Sequence, residues 1–283
     1  INWNDDGLCD LVVGEGGNGY TGKVRIYPND GSVAAPHFTS FFYAQSLGAD
    51  LTVPPVGCLG AYPRLIQRGA DHRKDLLVGQ ADGRVKLFVN TGSNANPTFE
   101  GGAFLQVGQP GSKVDINVSG RATPNWLDWN NDGTQDLLVG GLDGKVRVYV
   151  NSGTDNDPNF LTTTIVQAAG VDLVVPSTRA SPIITDWDGD GKKDFLTGNT
   201  NGQLLFYNNT GTDAAPAFSG YTALAADGVP IDLPGTLRTR PSLCDWTGDG
   251  LPDILTGYGD GLVHLYQSVP EPSAVALVLL GLA

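Results

Sequence analysis

A chain of 283 residues is long enough for one large domain or two ordinary ones, and its 39 glycines and 18 prolines among 40% hydrophobic residues carry too much turn chemistry for a helical bundle. The formal net charge of -13 argues against nucleic acid and anionic membrane surfaces as partners and favours divalent cations. Cys9, Cys58 and Cys244 lie far apart with no CxxC spacing, so neither a zinc site nor a dense disulfide framework is indicated, and at most one bridge can form.

Along the chain one segment recurs five times: WNDDGLCDLVVG from Trp3, RGADHRKDLLVG from Arg68, WNNDGTQDLLVG from Trp129, WDGDGKKDFLTG from Trp187 and WTGDGLPDILTG from Trp246, at intervals of 58 to 65 residues. Each copy leads into a second β-branched, alternating run: GKVRIYPNDGS from Gly22, GRVKLFVNTGS from Gly83, GKVRVYVNSGT from Gly144, GQLLFYNNTGT from Gly202 and GLVHLYQS from Gly261. Asp82-Gly83, Asp143-Gly144, Asn201-Gly202 and Asp260-Gly261 separate the two runs and read as tight hairpin turns. An Arg-x-x-Pro element (Arg121 to Pro124, Arg179 to Pro182, Arg238 to Pro241) opens a strand ahead of the segment. A Pro-x-Phe element (Phe38, Phe99, Phe160, Phe218) leads toward a fourth strand.

Four strands per repeat make a propeller blade, so the expected fold is an all-β propeller of about five four-stranded blades over residues 1–268. A repeat near 60 residues exceeds the roughly 40 to 50 of common blades, and the acidic loop is expected to take up the excess. Trp3, Trp129, Trp187 and Trp246 are expected to seal blade against blade, with Arg68 in that slot in the second copy.

Between first and second strands lies the acidic loop, with loops beginning at residues 2, 67, 128, 186 and 245. The fourth places Asp186, Asp188, Asp190 and Asp194 at positions 1, 3, 5 and 9, with Gly191 at position 6 for the sharp turn and the backbone carbonyl of Lys192 at position 7. Alternate oxygens on a tightly curled loop suit Ca²⁺, which takes six to eight oxygen ligands. The third loop offers Asp128, Asn130, Asp132, Thr134 and Asp136, and the fifth Asp245, Thr247, Asp249, Leu251 and Asp253, with a hydroxyl in place of one acid. The first offers Asn2, Asn4, Asp6, Leu8 and Asp10. The second has Gln67, Gly69, Asp71 and Asp75, with His72 where the turn wants glycine, and is expected to hold no ion; three to four Ca²⁺ are expected in all. The start resembles an EF-hand loop, but the closing acid at position 9 and the flanking strands exclude one.

The run DWDGDGKKDFLTG with its partner GQLLFYNNTGT resembles the FG-GAP/VCBS repeats of integrin α-subunit propellers and of many secreted bacterial proteins. That resemblance implies calcium in the loops and an extracellular adhesion or scaffold role, with a protein or polysaccharide ligand. The tail, Val269-Pro270-Glu271-Pro272-Ser273 followed by AVALVLLGLA, resembles a PEP-CTERM sorting signal, which implies export to the bacterial surface or matrix and contact with the membrane only before processing. The apolar run stops short of the roughly 20 residues that span a bilayer, so residues 269–283 are expected to be an incomplete signal. The missing methionine, the missing strand before the first loop and the missing fourth strand after Gln267 point the same way, to a chain cut from a longer protein.

No nucleophile elbow, Walker loop or HExxH motif is present, and His37, His72 and His264 occupy a variable loop, a degenerate turn and a strand slot held elsewhere by Arg or Lys. The expectation is therefore a binding module without catalysis. A lectin-like propeller and a propeller polysaccharide lyase or hydrolase stand as the alternatives.

Overall fold

The computed structural model describes residues 1–16, 22–54, 60–69, 71–232, 238–259, 261–269 and 276–281. The described residues form strands and turns only, and the fold class is the expected all-β propeller arrangement of five blades. In the third blade, Thr123–Leu127, Asp136–Gly140, Val146–Tyr149 and Thr164–Ile165 lie side by side in chain order. The second and fourth blades repeat that order, and the first has three strands, Leu11–Gly14, Val24–Tyr27 and Phe42–Tyr43. Every residue of the second strand is buried in Lys74–Gly79, Asp136–Gly140 and Asp194–Gly198, which explains why these runs read as unbroken DLLVG-like apolar stretches and not as alternating ones.

The chain divides into two compact units, one of residues 1–128, 132–142 and 147–164, the other of 129–131, 143–146 and 165–283. Within the first unit, Trp3, Ile26, Leu51, Leu76 and Phe99 share one apolar cluster, and Leu77, Ile116, Trp126, Leu137 and Phe160 another. Trp3 meets Phe99 of the next blade edge to face at 6.0 Å, so the expected sealing role holds there. In the second unit Trp187 packs with Leu196, Ile254 and Tyr266, whereas Trp129 is only half-buried. Strand ends come equally close: a side chain on Gly14 or Gly79 would run into the carbonyl oxygen of Ala61 or Ala122 on the following blade.

Three features differ from the sequence expectation. The extra length of the repeat is not absorbed by the acidic loop alone. A two-stranded ribbon follows the fourth strand (Gln45–Ser46 with Ala49–Asp50, Gln106–Val107 with Val114–Asp115, Gln167–Ala168 with Val171–Asp172), and it catches the Pro-x-Phe element of the next repeat through Ser46 with Phe99, Val107 with Phe160 and Ala168 with Phe218. In the hairpin turns only glycine is left-handed, with φ of 96° at Gly83 and 79° at Gly144, while the Asp before it accepts the following amide, as Asp82 does from Arg84; Asp260 lies outside the described residues.

Last, a fourth strand does exist beyond Gln267: Ala276–Gly281 pairs antiparallel with Val263–Val269, from His264 opposite Gly281 to Val269 opposite Ala276. The leucine-rich run ALVLLG, residues Ala276–Gly281, satisfies the open edge of the fifth blade, so the blade sheets extend past residue 268. Residues 270–275, which include the Pro-Glu-Pro segment, lie outside the described residues.

Candidate metal centre

Each acidic loop is a stack of Asx turns. The position 5 carboxylate accepts the amide of position 7 in all five copies: Asp6 from Leu8 at 2.8 Å, Asp71 from Arg73 at 3.2 Å, Asp132 from Thr134 at 2.8 Å, Asp190 from Lys192 at 3.0 Å and Asp249 from Leu251 at 2.9 Å. The position 1 carboxylate accepts the amide of the position 6 glycine in three: Asp128 from Gly133 at 2.9 Å, Asp186 from Gly191 at 3.0 Å and Asp245 from Gly250 at 3.0 Å. Positions 4 and 6 are left-handed in the first, third, fourth and fifth loops, with φ of 60° and 90° at Asp5 and Gly7 and of 76° and 85° at Gly189 and Gly191, which is why Asp, Asn or Gly recurs there.

In the fourth loop the carboxylate oxygens of Asp186, Asp188 and Asp194 lie within 4.8 Å of one another, the one such acidic group among the described residues. Oxygens bound to one Ca²⁺ at about 2.4 Å can be no more than about 5 Å apart, so the spacing fits that ion. Asp190, expected in the same cage, is turned to the Lys192 ammonium at 2.7 Å, and that hydrogen bond holds its carboxyl below the usual range. Burial pushes Asp194 above it.

Two further loops carry the mark of a missing partner. The side-chain oxygens of Asn2, at position 1 of the first loop, and Thr247, at position 3 of the fifth, are buried and meet no hydrogen-bond donor. A buried oxygen without a donor costs about 1–3 kcal/mol unless water or an ion satisfies it, and both atoms are expected cation ligands. In the third loop Asp128, Asp132, Thr134 and Asp136 keep the same turn geometry, and Asn130 falls in the segment 129–131 that clusters with the second unit.

Position 9 does something the sequence reading missed. Asp10, Asp75, Asp136, Asp194 and Asp253 are all buried, and each accepts a backbone amide from the end of the third strand or just beyond it: Asn29, Asn90, Asn151, Asn209 and Ser268, at 2.7 to 2.8 Å. The other oxygen takes the position 2 amide of Trp3, Trp187 and Trp246. The recurring Asn continues the chain of bonds. Its side-chain oxygen takes two amides, Gly92 and Thr98 for Asn90, Gly211 and Ala217 for Asn209. The signal was available, since four of these Asp residues precede their partner by 15 positions.

The second loop is built differently. Its strands pair one step further, Gln67 opposite Lys74, so the loop shortens, and His72 takes the left-handed turn position with φ of 50°. Arg68, in the Trp slot, sends its Nε to Asp75 at 2.6 Å and a terminal nitrogen to the carbonyls of Asp155 and Asn156, each at 3.1 Å. The guanidinium thus takes the Asp75 oxygen that the position 2 backbone amide takes in the first, fourth and fifth copies. Of the histidines, His37 pairs with Asp30 at 2.9 Å and His264 stacks edge-on to Tyr258 at 4.8 Å.

Antiparallel blades with an acidic loop between the first two strands define a propeller-type repeat protein. Residues 128–197 and 186–256 match the family of FG-GAP-like repeats, so the third to fifth loops lie in repeats of that kind. No curated protein matches the chain. Among solved structures it is similar to the periplasmic gluconolactonase PpgL of Pseudomonas aeruginosa, at 16% identity and a TM-score of 0.43 over 96% of this chain and 66% of that one. It is also similar to a structure of BBS1N in complex with ARL6DN, soaked with lead, at 14% identity and a TM-score of 0.39 over 97% of this chain and 66% of that one. The chain thus spans just under two thirds of the length of both.

Proposed function

We propose that this protein is a calcium-stabilised binding or scaffold module that works outside the cytoplasm and carries out no reaction of its own. The observation that carries the reading is the pair of buried, partnerless oxygens, Asn2 Oδ1 and Thr247 Oγ1, at two positions where the repeat calls for a cation ligand. The converged carboxylates of Asp186, Asp188 and Asp194 supply the charged counterpart. Bound Ca²⁺ would add positive charge and several metal–oxygen bonds to loops now held by Asx turns. Three or four ions would offset about half of the net charge of -13.

An extracellular setting supplies calcium at concentrations that weak loops need, and the disulfide-bonded state of Cys9 is one that persists in oxidising compartments. The Pro-Glu-Pro tail supports delivery to a bacterial surface or matrix through a sorting signal. A protein or polysaccharide is the ligand class proposed.

The test is thermal. An ion that binds only the folded loops stabilises by mass action, about 2.7 kcal/mol per site at a hundredfold excess over Kd. The melting temperature should rise on adding Ca²⁺ and return with EGTA. A melt indifferent to both would remove the calcium reading.

A second reading, carbohydrate binding, has its own support in the first blade, where Phe41 and Phe42 are 44% and 45% exposed and Arg25 lies 4.6 Å over the Phe41 ring. Exposed rings beside hydrogen-bonding side chains suit the stacking of sugar faces. A glycan array with and without calcium separates the readings: retention without depolymerisation favours the lectin, depolymerisation an enzyme, and no retention the protein-binding scaffold.

A further inference from the structure

We infer that Asn208, which lies outside the acidic loop, supplies its amide oxygen to the cation of the fourth loop. The inference rests on the calcium reading above and adds a ligand that the loop pattern does not contain. Position 9 of every loop is tied to the residue at or just past the end of the third strand, so the residue immediately before that one is fixed beside the loop. Those residues are Pro28, Val89, Val150, Asn208 and Gln267. Proline and valine have nothing to offer a cation; only the fourth and fifth copies carry a side-chain oxygen at this place.

In the fourth copy the contact is direct. The Asn208 amide nitrogen lies 2.7 Å from Oδ2 of Asp188, and the next residue, Asn209, gives its backbone N–H to Asp194 at 2.8 Å. Asn208 therefore reaches one member of the carboxylate trio while its neighbour holds another. An amide presents donor and acceptor ends related by a half turn about one bond. Facing a bare carboxylate, the NH₂ end wins. Facing a cation shared with that carboxylate, the oxygen end does. Ca²⁺ asks for six to eight oxygens, while Asp190, one of the expected contributors, is engaged by Lys192. Asn208 fills that shortfall, and the fourth loop should bind more tightly than the third, whose equivalent is Val150.

The experiment is calorimetric titration of the calcium-free protein with Ca²⁺, comparing wild type with Asp188→Ala, Asn208→Val and Asn208→Asp. Asp188→Ala identifies the fourth-loop step as the one it removes. Asn208→Val should then weaken that step about tenfold, as loss of a neutral group at a metal site does. Asn208→Asp, close to isosteric and negatively charged, should tighten it. If Asn208→Val and wild type bind alike at that step, the inference falls while the calcium reading stands. If Asp188→Ala removes no step, the calcium reading falls and takes this inference with it. A melt of each variant in EGTA guards against misfolding, and should Asn208→Val prove unfolded, the failure of Asn208→Asp to tighten the step overturns the inference by itself.

Discussion

Arg68 and Asp75 form an ion pair at 2.6 Å with side-chain exposures of only 6% and 5%. Charges so far from water are held by one another, and removing one partner strands the other. Arg68→Ala should cost about 3–5 kcal/mol in urea unfolding, whether or not calcium is present. Arg73→Ala, on the exposed Arg73–Asp71 pair at 3.7 Å, should cost less than about 1 kcal/mol.

Position 9 and position 3 should separate when calcium is withdrawn. Asp253 accepts the amides of Trp246, Thr247 and Ser268 from a fully buried site, so its loss unties the loop from the strand with or without an ion. Asp253→Ala is expected to lose about 3 kcal/mol in EGTA. Asp188→Ala is expected to change little in EGTA and to lose stability only in calcium. Urea melts of both variants under the two conditions check the difference.

The same burial gives a pH signature. Desolvation raises the carboxyls of Asp194 and Asp253 above their ordinary range, with backbone amides pulling the other way. A raised carboxyl keeps its proton longer in the folded state. Its contribution is full below the unfolded value of about 4 and is lost as pH rises through the folded value. In EGTA, Asp253→Asn should therefore flatten part of the decline in melting temperature that wild type shows on going upward from pH 4. Asp50 behaves oppositely: the hydrogen bond from Lys23 lowers it, so its contribution is present above about 4 and lost as pH falls through the folded value. Asp50→Asn should flatten the acid limb below pH 4.

Asn209 is fully buried, and its side-chain oxygen takes the amides of Gly211 and Ala217. Asn209→Ala would leave both without that acceptor and should cost about 2–3 kcal/mol. Asn208→Ala, one residue away and exposed, should cost a few tenths of that in the absence of calcium.

The repeat, the strand pairs and the loop register were legible in the sequence because they depend on local chemistry: Asx and Gly at left-handed positions, apolar runs in the second strand, turn dipeptides between strands. What the sequence concealed depends on partners far along the chain. The same Asp letter serves at positions 3 and 9, yet Asp188 faces the trio from an exposed loop while Asp194 is buried and bound to two backbone amides. The ribbon after the fourth strand is too short and polar to announce itself, and its backbone partner, Phe99, Phe160 or Phe218, comes from the next repeat. The pairing of Ala276–Gly281 stayed hidden because hydropathy alone does not reveal an open sheet edge waiting for a strand.

The glycine that closes the first, second and fourth DLLVG-like strands works as a spacer of zero thickness. At Gly14 and Gly79 the neighbour pressing in is the backbone carbonyl of Ala61 or Ala122, and at Gly198 it is that of Thr239. Backbone does not mutate. At these three places the approach of one blade to the next is therefore set by atoms that every sequence shares, and a side chain between blades can be exchanged, as Arg68 is for Trp, without altering that step. A single methyl at Gly79 would act as a wedge between two blades, a larger disturbance than many substitutions within the apolar clusters.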